Sequence, residues 1–223
     1  MAKEIVLFVL YSVVHLFAIA TITKEDAFYL PSKIIPILIL IVALFRYFPQ
    51  LEKRGKLIAV GLVFSLFGDS FLALPKQGYF VFGLGSFLIA QLIYSYAFTL
   101  DSKIKPLLAI PFLLFGSSFF LVLVPKLGSL LIPVGVYISA ICLMGWRAAA
   151  RNSVTRRLFY LGLLGALVFI LSDSIIAYSM FLKPEMDRFT ASMGIMVTYY
   201  IAQVLIYSAT KAEELDFQSV KNT

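Results

Sequence analysis

The stretch Phe64-Ser-Leu-Phe-Gly-Asp69-Ser-Phe-Leu-Ala-Leu74 decides how this chain is read. It is an apolar run interrupted by one carboxylate. A second stretch, Val168-Phe-Ile-Leu-Ser-Asp173-Ser-Ile-Ile-Ala-Tyr178, repeats the pattern, with a small residue before the aspartate and a serine after it. A charged carboxylate at bilayer depth costs about 3 kcal/mol on insertion scales and is rarely kept without a use.

The rest of the chain fits a bilayer setting. Of its 223 residues 61% are hydrophobic and 14% charged, with a mean hydropathy of +0.95; soluble domains carry about a quarter charged residues. Apolar stretches of the length that spans a hydrocarbon core, about 20 residues, recur from end to end. The expected fold is all-α: a polytopic membrane protein with eight transmembrane helices near 5–21, 32–48, 56–74, 79–100, 105–124, 129–146, 158–182 and 189–210. One transmembrane domain, 1–210, precedes a loose polar tail, 211–223. The first stretch carries a possible cleavage site at Ala18-Ile19-Ala20 but is read as a retained helix, because the repeat described below needs it. Pro75, Pro125 and Pro184 fall where turns fit, and Pro36, Pro111 and Pro133 lie inside spans.

The net charge of +7 comes from basic residues in short loops, the pattern of topology determinants and lipid-headgroup contacts rather than of nucleic-acid binding. Thirteen of the 19 Lys and Arg residues fall on the side that carries both termini, which places the termini in the cytoplasm. Cys142 and His15 are the sole cysteine and histidine. An intrachain disulfide is thereby excluded, and no Cys/His metal site or cofactor is expected.

The two halves, about 1–100 and 105–210, resemble each other. Ile35-Pro36 lies over Ile132-Pro133, the Arg46 loop over the Arg147 loop, Asp69 over Asp173, and Ile89-Ala-Gln91 over Ile201-Ala-Gln203, at offsets of 97, 101, 104 and 112. A unit of four helices gives copies of the same orientation, related by an axis along the membrane normal. Asp69 and Asp173 then sit at one depth, away from the cytoplasm. If the third and seventh helices flank the axis, the carboxyls meet across a central cavity, with Gln91 and Gln203 deeper in.

Two nearby carboxyls in a dry pocket do not both ionise, which leaves a neutral acid beside a charged base, a pair suited to general acid/base hydrolysis. The structural alternative is that each aspartate bonds a neighbouring side chain and locks helices together. Tyr199 and Gln203 are four apart on one helix face, where they can orient the carboxyls or a substrate, or join helices. Tyr94 and Tyr137 pose the same choice. Lys33 opens the second helix and fits either a phosphate-binding or a snorkelling lysine. His15 reads as a satisfied polar residue. Ser70 and Ser174 lack the Gly-x-Ser-x-Gly elbow of a serine hydrolase. Gly83, Gly85, Gly162 and Gly165 suit close helix packing, and no nucleotide-type phosphate loop is present. Intramembrane acids and parallel repeats also fit a proton-coupled transporter or a lipid-flipping protein.

Several segments together resemble the YhhN family of membrane proteins, the lysoplasmalogenases. They are Gly68-Asp69 with Phe71-Leu-Ala-Leu, then Phe82 to Tyr94, then Leu171-Ser-Asp-Ser-Ile-Ile-Ala177, then Thr198-Tyr-Tyr-Ile-Ala-Gln203, with Lys33 before the second span. The resemblance runs over almost the whole chain. It departs at Gln91, where the family often has histidine, so a histidine there is not indispensable. The resemblance implies hydrolysis of the vinyl ether bond of lysoplasmalogens to a fatty aldehyde and glycerophosphoethanolamine or glycerophosphocholine, without cofactor. Asp69 and Asp173 would be acid and base in undetermined order. Tyr199, Tyr200 and Gln203 would hold substrate or water, with Gln91, Tyr94 and Tyr137 as further substrate contacts, and Lys33 would meet the phosphate. The expected partners are a lysophospholipid and membrane lipids, in a bacterial inner membrane.

Overall fold

The computed structural model describes residues 2–74, 77–152 and 154–221. Among these are eight α-helices and no strand: α1 Ala2–Thr21, α2 Tyr29–Phe45, α3 Lys53–Ala73, α4 Phe80–Thr99, α5 Ile110–Leu127, α6 Leu131–Ala149, α7 Arg156–Ala177 and α8 Arg188–Lys221. Six helical stretches are long and apolar enough to cross a membrane. One of them, Pro106–Ala149, contains both α5 and α6, and α2 falls outside the six at 17 residues. At 1.5 Å per residue α2 reaches about 26 Å, a little short of a hydrocarbon core about 30 Å thick.

The helix ends have local causes. Pro125 lies inside α5 rather than at the expected turn. The break comes at Gly128, whose φ of +51° suits a residue without Cβ. Pro111 and Pro133 occupy the first turns of α5 and α6, where a missing N–H costs nothing. Pro75 lies outside the described residues, and Pro184 follows the π-turn Tyr178–Leu182 that closes α7.

Apolar residues face outward: Val6, Phe17, Leu113, Leu121, Ile132 and Leu171 are exposed. Polar ones turn inward: Ser32, Lys33, Ser65, Asp69, Gln91 and Gln203 are buried. This distribution fits a bilayer as solvent, and the protein is an integral, multi-pass membrane protein. α3 packs most extensively on α4, and α7 on α8, with α4 against α6 and α2 against α3. α3 and α7 are not close neighbours, contrary to the expectation that they flank a common axis. α4 and α8 fill the centre, where Phe87, Phe169 and Tyr199 form an edge-to-face triangle with ring centroids 5.8–6.2 Å apart. Gly68 admits this triangle, since a Cβ there would fall 2.5 Å from the Phe87 ring.

Ion pairs tie one end of the bundle together. Asp101, in the α4–α5 connection, lies 3.0 Å from both Arg54 on α3 and Arg151 in the α6–α7 connection. Arg54 and Arg151 also pair with Glu213 on α8. Both carboxylate oxygens of Glu214 accept from the Glu52 backbone N–H at 3.1 Å. The tail expected to be loose after Thr210 is instead helical: α8 runs on to Lys221, with Glu213 paired to Arg54 and Arg151 and Glu214 bonded to the Glu52 backbone. Removing one member of a buried ion cluster leaves its partners uncompensated. Asp101→Ala is expected to cost about 3 kcal/mol, read as a drop of roughly 6–12 °C in the melting temperature of the detergent-solubilised protein.

Candidate active site

Both aspartates sit about one turn before the end of their helix, opposite the ion cluster. Gly68 and Ser172, which precede them, let neighbouring helices close in: α4 reaches Gly68 through Phe87, and the Ser172 hydroxyl donates to the Ile195 carbonyl of α8 at 3.1 Å. Farther along, Gly165 brings α7 against the α8 backbone, 3.2 Å from the Ile206 nitrogen by the position a Cβ would take. α8 is thereby held where its tyrosines and Gln203 point inward.

Asp69 is 2% exposed. Tyr199 donates to its Oδ2 at 2.6 Å. The Lys33 ammonium lies 3.4 Å from its Oδ1 and donates to its backbone carbonyl at 3.3 Å. Tyr200 donates to the Lys33 carbonyl at 2.9 Å, which anchors α2 to α8. Asp173 is half-buried, and two neutral donors converge on its Oδ2: Tyr137 at 2.5 Å and Gln91 at 2.9 Å. Each carboxyl thus takes a donor from the other half of the chain, α8 serving α3 and α4 serving α7. One has a cation beside it and the other does not.

The remaining expected residues fall close by. Tyr94 donates to Gln203 Oε1 at 3.2 Å and lies 3.4 Å from the Ser65 hydroxyl. Gln91 Oε1 and Gln203 Nε2 are buried without a protein partner, which is uncommon for amide groups. His15 is enclosed between Tyr29 and Tyr200, its Nδ1 2.9 Å from the Ser32 hydroxyl. Because that hydroxyl donates to the Tyr29 carbonyl, the Nδ1 is the donor to it. Ser70 and Ser174 donate to carbonyls one turn back in their own helices, at 2.8 and 2.7 Å. Among the described residues no three His, Cys, Asp or Glu side chains gather as a metal site would need.

The carboxyls do not face each other across one cavity. A narrow apolar pocket of about 50 Å³ is lined by Asp173 and Tyr137 together with Phe80, Leu84, Phe115 and Phe119, but not by Asp69. A wider pocket of about 300 Å³ is lined by Lys24, Tyr29, Lys33 and Ser192. Leu72, Phe80 and Ile176 line both. The separation follows from the donors: Lys33 and Tyr199 hold Asp69 toward α2 and α8, whereas Tyr137 and Gln91 hold Asp173 toward α4 and α6. Lys33, expected at a phosphate, is only 7% exposed and spends its ammonium on Asp69. Lys24, one of the six basic residues on the side away from the termini, lines the outer pocket instead; no sequence signal separates it from any other loop lysine.

These features define a helical membrane protein with a polar, carboxyl-bearing site enclosed in its interior. The chain belongs to the YhhN family, whose model matches residues 28–210. It is 37% identical to lysoplasmalogenase TMEM86A of Bos taurus over 166 residues, covering 70% of this chain and 66% of that protein. The same protein from Homo sapiens is 37% identical over 162 residues. Lysoplasmalogenase TMEM86B of Homo sapiens is 34% identical over 151 residues, covering 68% of this chain and 62% of that protein. The chain thus spans just under two thirds of the length of these relatives. No solved structure matches it.

The Lys33–Asp69 pair can be tested by a double-mutant cycle on stability. Lys33→Met alone strands a buried carboxylate and is expected to cost about 3 kcal/mol. The double variant Lys33→Met/Asp69→Asn is expected to recover at least half of that loss, measured by thermal unfolding in detergent. A double-variant loss equal to the sum of the losses of Lys33→Met and Asp69→Asn alone would show that the pair does not couple.

Proposed function

We propose that this protein hydrolyses the vinyl ether bond of lysoplasmalogens, releasing a fatty aldehyde and glycerophosphoethanolamine or glycerophosphocholine. The observation that carries the reading is Asp173. Its carboxyl, held by neutral donors only, opens on an apolar pocket, in a chain whose matched relatives are named lysoplasmalogenases.

The two environments favour a division of labour. A carboxyl bonded by a tyrosine and an amide has no cation to hold it ionised, so Asp173 is the group that can carry a proton. Asp69, beside Lys33, is the anion of the pair. Asp173 delivers its proton to the β-carbon of the enol ether, and the α-carbon becomes an oxocarbenium ion bonded to the glycerol oxygen. Water adds to that carbon and gives up a proton. The hemiacetal then collapses: the carbon–oxygen bond to glycerol breaks, the glycerol oxygen takes a proton, and the aldehyde leaves. The Asp173 carboxylate left after the first step stabilises the adjacent cation. Asp69 acts as base through Tyr199, whose hydroxyl donates to it and accepts from water. Gln91 Oε1 and Gln203 Nε2, buried without protein partners, supply polar handles for that water.

We also infer that all eight helices cross the membrane as two parallel four-helix repeats, with both termini cytoplasmic and the site in the outer half of the bacterial inner membrane. The basic excess of the loops supports this orientation. So does the gathering of Arg54, Asp101, Arg151 and Glu213, from alternate connections and the end of α8, at one end of the bundle.

Purified protein in detergent, with no ion gradient, is expected to release aldehyde from 1-alkenyl-lysophosphatidylethanolamine. Asp173→Asn is expected to lower kcat/KM about a thousand-fold with folding retained, and Asp69→Asn about a hundred-fold or more. No aldehyde from the wild type, together with proton-dependent uptake in vesicles, would favour a carrier instead.

A further inference from the structure

The wider pocket carries a group that the catalytic proposal does not use. Lys24 lies in the connection between α1 and α2, half-buried at the pocket wall, and its ammonium donates to the Leu72 carbonyl at 3.1 Å. That acceptor is neutral. Burial and the neighbouring cations Lys33 and Arg188 push the Lys24 ammonium down to about 8. In the two neighbouring connections Asp26 accepts from the Thr23 N–H and hydroxyl and Asp187 from the Thr190 N–H and hydroxyl, and Glu25 and Glu185 are the other acids there. Lys33 is taken by Asp69. Lys24 and Lys33 line this pocket beside the hydroxyl-bearing residues Tyr29 and Ser192, and no Asp or Glu among the described residues lines it.

What lies behind that mouth sets the ligand class. Leu72, Phe80 and Ile176 are common to the outer pocket and to the apolar slot that holds Asp173. Across these shared residues the lining passes from the lysines of one pocket, over apolar side chains, to the Asp173 carboxyl and the aromatic rings of the other. A single-chain phospholipid presents its groups in the same order: anionic phosphodiester, glycerol, sn-1 linkage, hydrocarbon chain. We propose that Lys24 binds the headgroup phosphodiester of the lysophospholipid, with Arg188 adding positive charge nearby, and so places the sn-1 linkage at Asp173. This rests on the lysoplasmalogenase reading above. It moves the phosphate contact from Lys33 to a loop lysine. Lys24 is a binding residue in this account and takes no part in proton transfer.

The test compares two substrates in detergent: 1-alkenyl-lysophosphatidylethanolamine and 1-alkenylglycerol, which has the same vinyl ether and no phosphate. A charge-assisted hydrogen bond supports a discrimination of about ten-fold. Lys24→Met is expected to lower the ratio of kcat/KM for the phospholipid over the alkenylglycerol about ten-fold, through KM, and Lys24→Arg is expected to restore most of it. A ratio equal to that of the wild type, or an equal loss on both substrates, would overturn the proposal. Inorganic phosphate added as a competitor separates a lipid site from a free-anion site: competition as strong as that of the lysophospholipid headgroup glycerophosphoethanolamine would overturn the lipid assignment. If the wild type cleaves neither substrate, the parent reading fails. Binding of a 1-alkyl lysophospholipid, which has no vinyl ether to cleave, then still decides on Lys24: about ten-fold weaker binding by Lys24→Met supports its role, and unchanged binding refutes it.

Discussion

Polar groups inside this bundle depend on partners within it, because the surrounding lipid offers none. The carboxyl of Asp69 makes that constraint most visible. It is almost wholly enclosed, and α2 and α8 both bend their chemistry toward it, Lys33 from one and Tyr199 from the other. Tyr200 then holds the backbone of α2 at Lys33, so the same few bonds that satisfy the carboxyl also set the spacing of three helices. Asp173 answers the constraint differently. Tyr137 and Gln91 satisfy one of its oxygens without bringing a charge. The pair is alike in sequence and unlike in surroundings, and that difference is what gives the site a direction.

The two ends of the bundle differ in what they gather. At one end Asp101 bridges two arginines, and α8 is drawn in by Glu213 and Glu214. At the other, the wider pocket opens between α2, α3, α7 and α8, and the narrow one between α4, α5, α6 and α7. The aromatic triangle of Phe87, Phe169 and Tyr199 sits between the halves. It packs against α3 at Gly68, next to the aspartate, so the position of Tyr199 is fixed by packing as well as by its hydrogen bond.

Much of this was legible in the sequence. The helices stand out because lipid demands long apolar runs, and the aspartates stand out because those runs make a carboxylate costly. Tyr199, Gln203 and Gln91 could be singled out as inward-facing polar residues, but their pairing could not: a repeat suggests that Asp69 and Asp173 meet, whereas each is bonded across the halves by the other half's last helix. The placement of Lys33 was ambiguous for a physical reason, since an amphipathic side chain at a helix start can reach outward or inward, and only the buried Asp69 decides it. The extension of α8 was hidden because an acidic run looks solvated until Arg54 and Arg151, from two distant segments, are placed beside Glu213. Lys24 carried no signal at all, for a loop lysine reads as a topology determinant wherever it falls.

In the proposed mechanism the two carboxyls differ in charge because Asp69 alone has a cation beside it. Infrared difference spectroscopy at neutral pH reads this directly, through the carbonyl stretch of a protonated carboxylic acid. The account predicts that Asp173→Asn removes such a band and that Asp69→Asn leaves it in place. A band lost with Asp69→Asn and kept with Asp173→Asn would contradict the account.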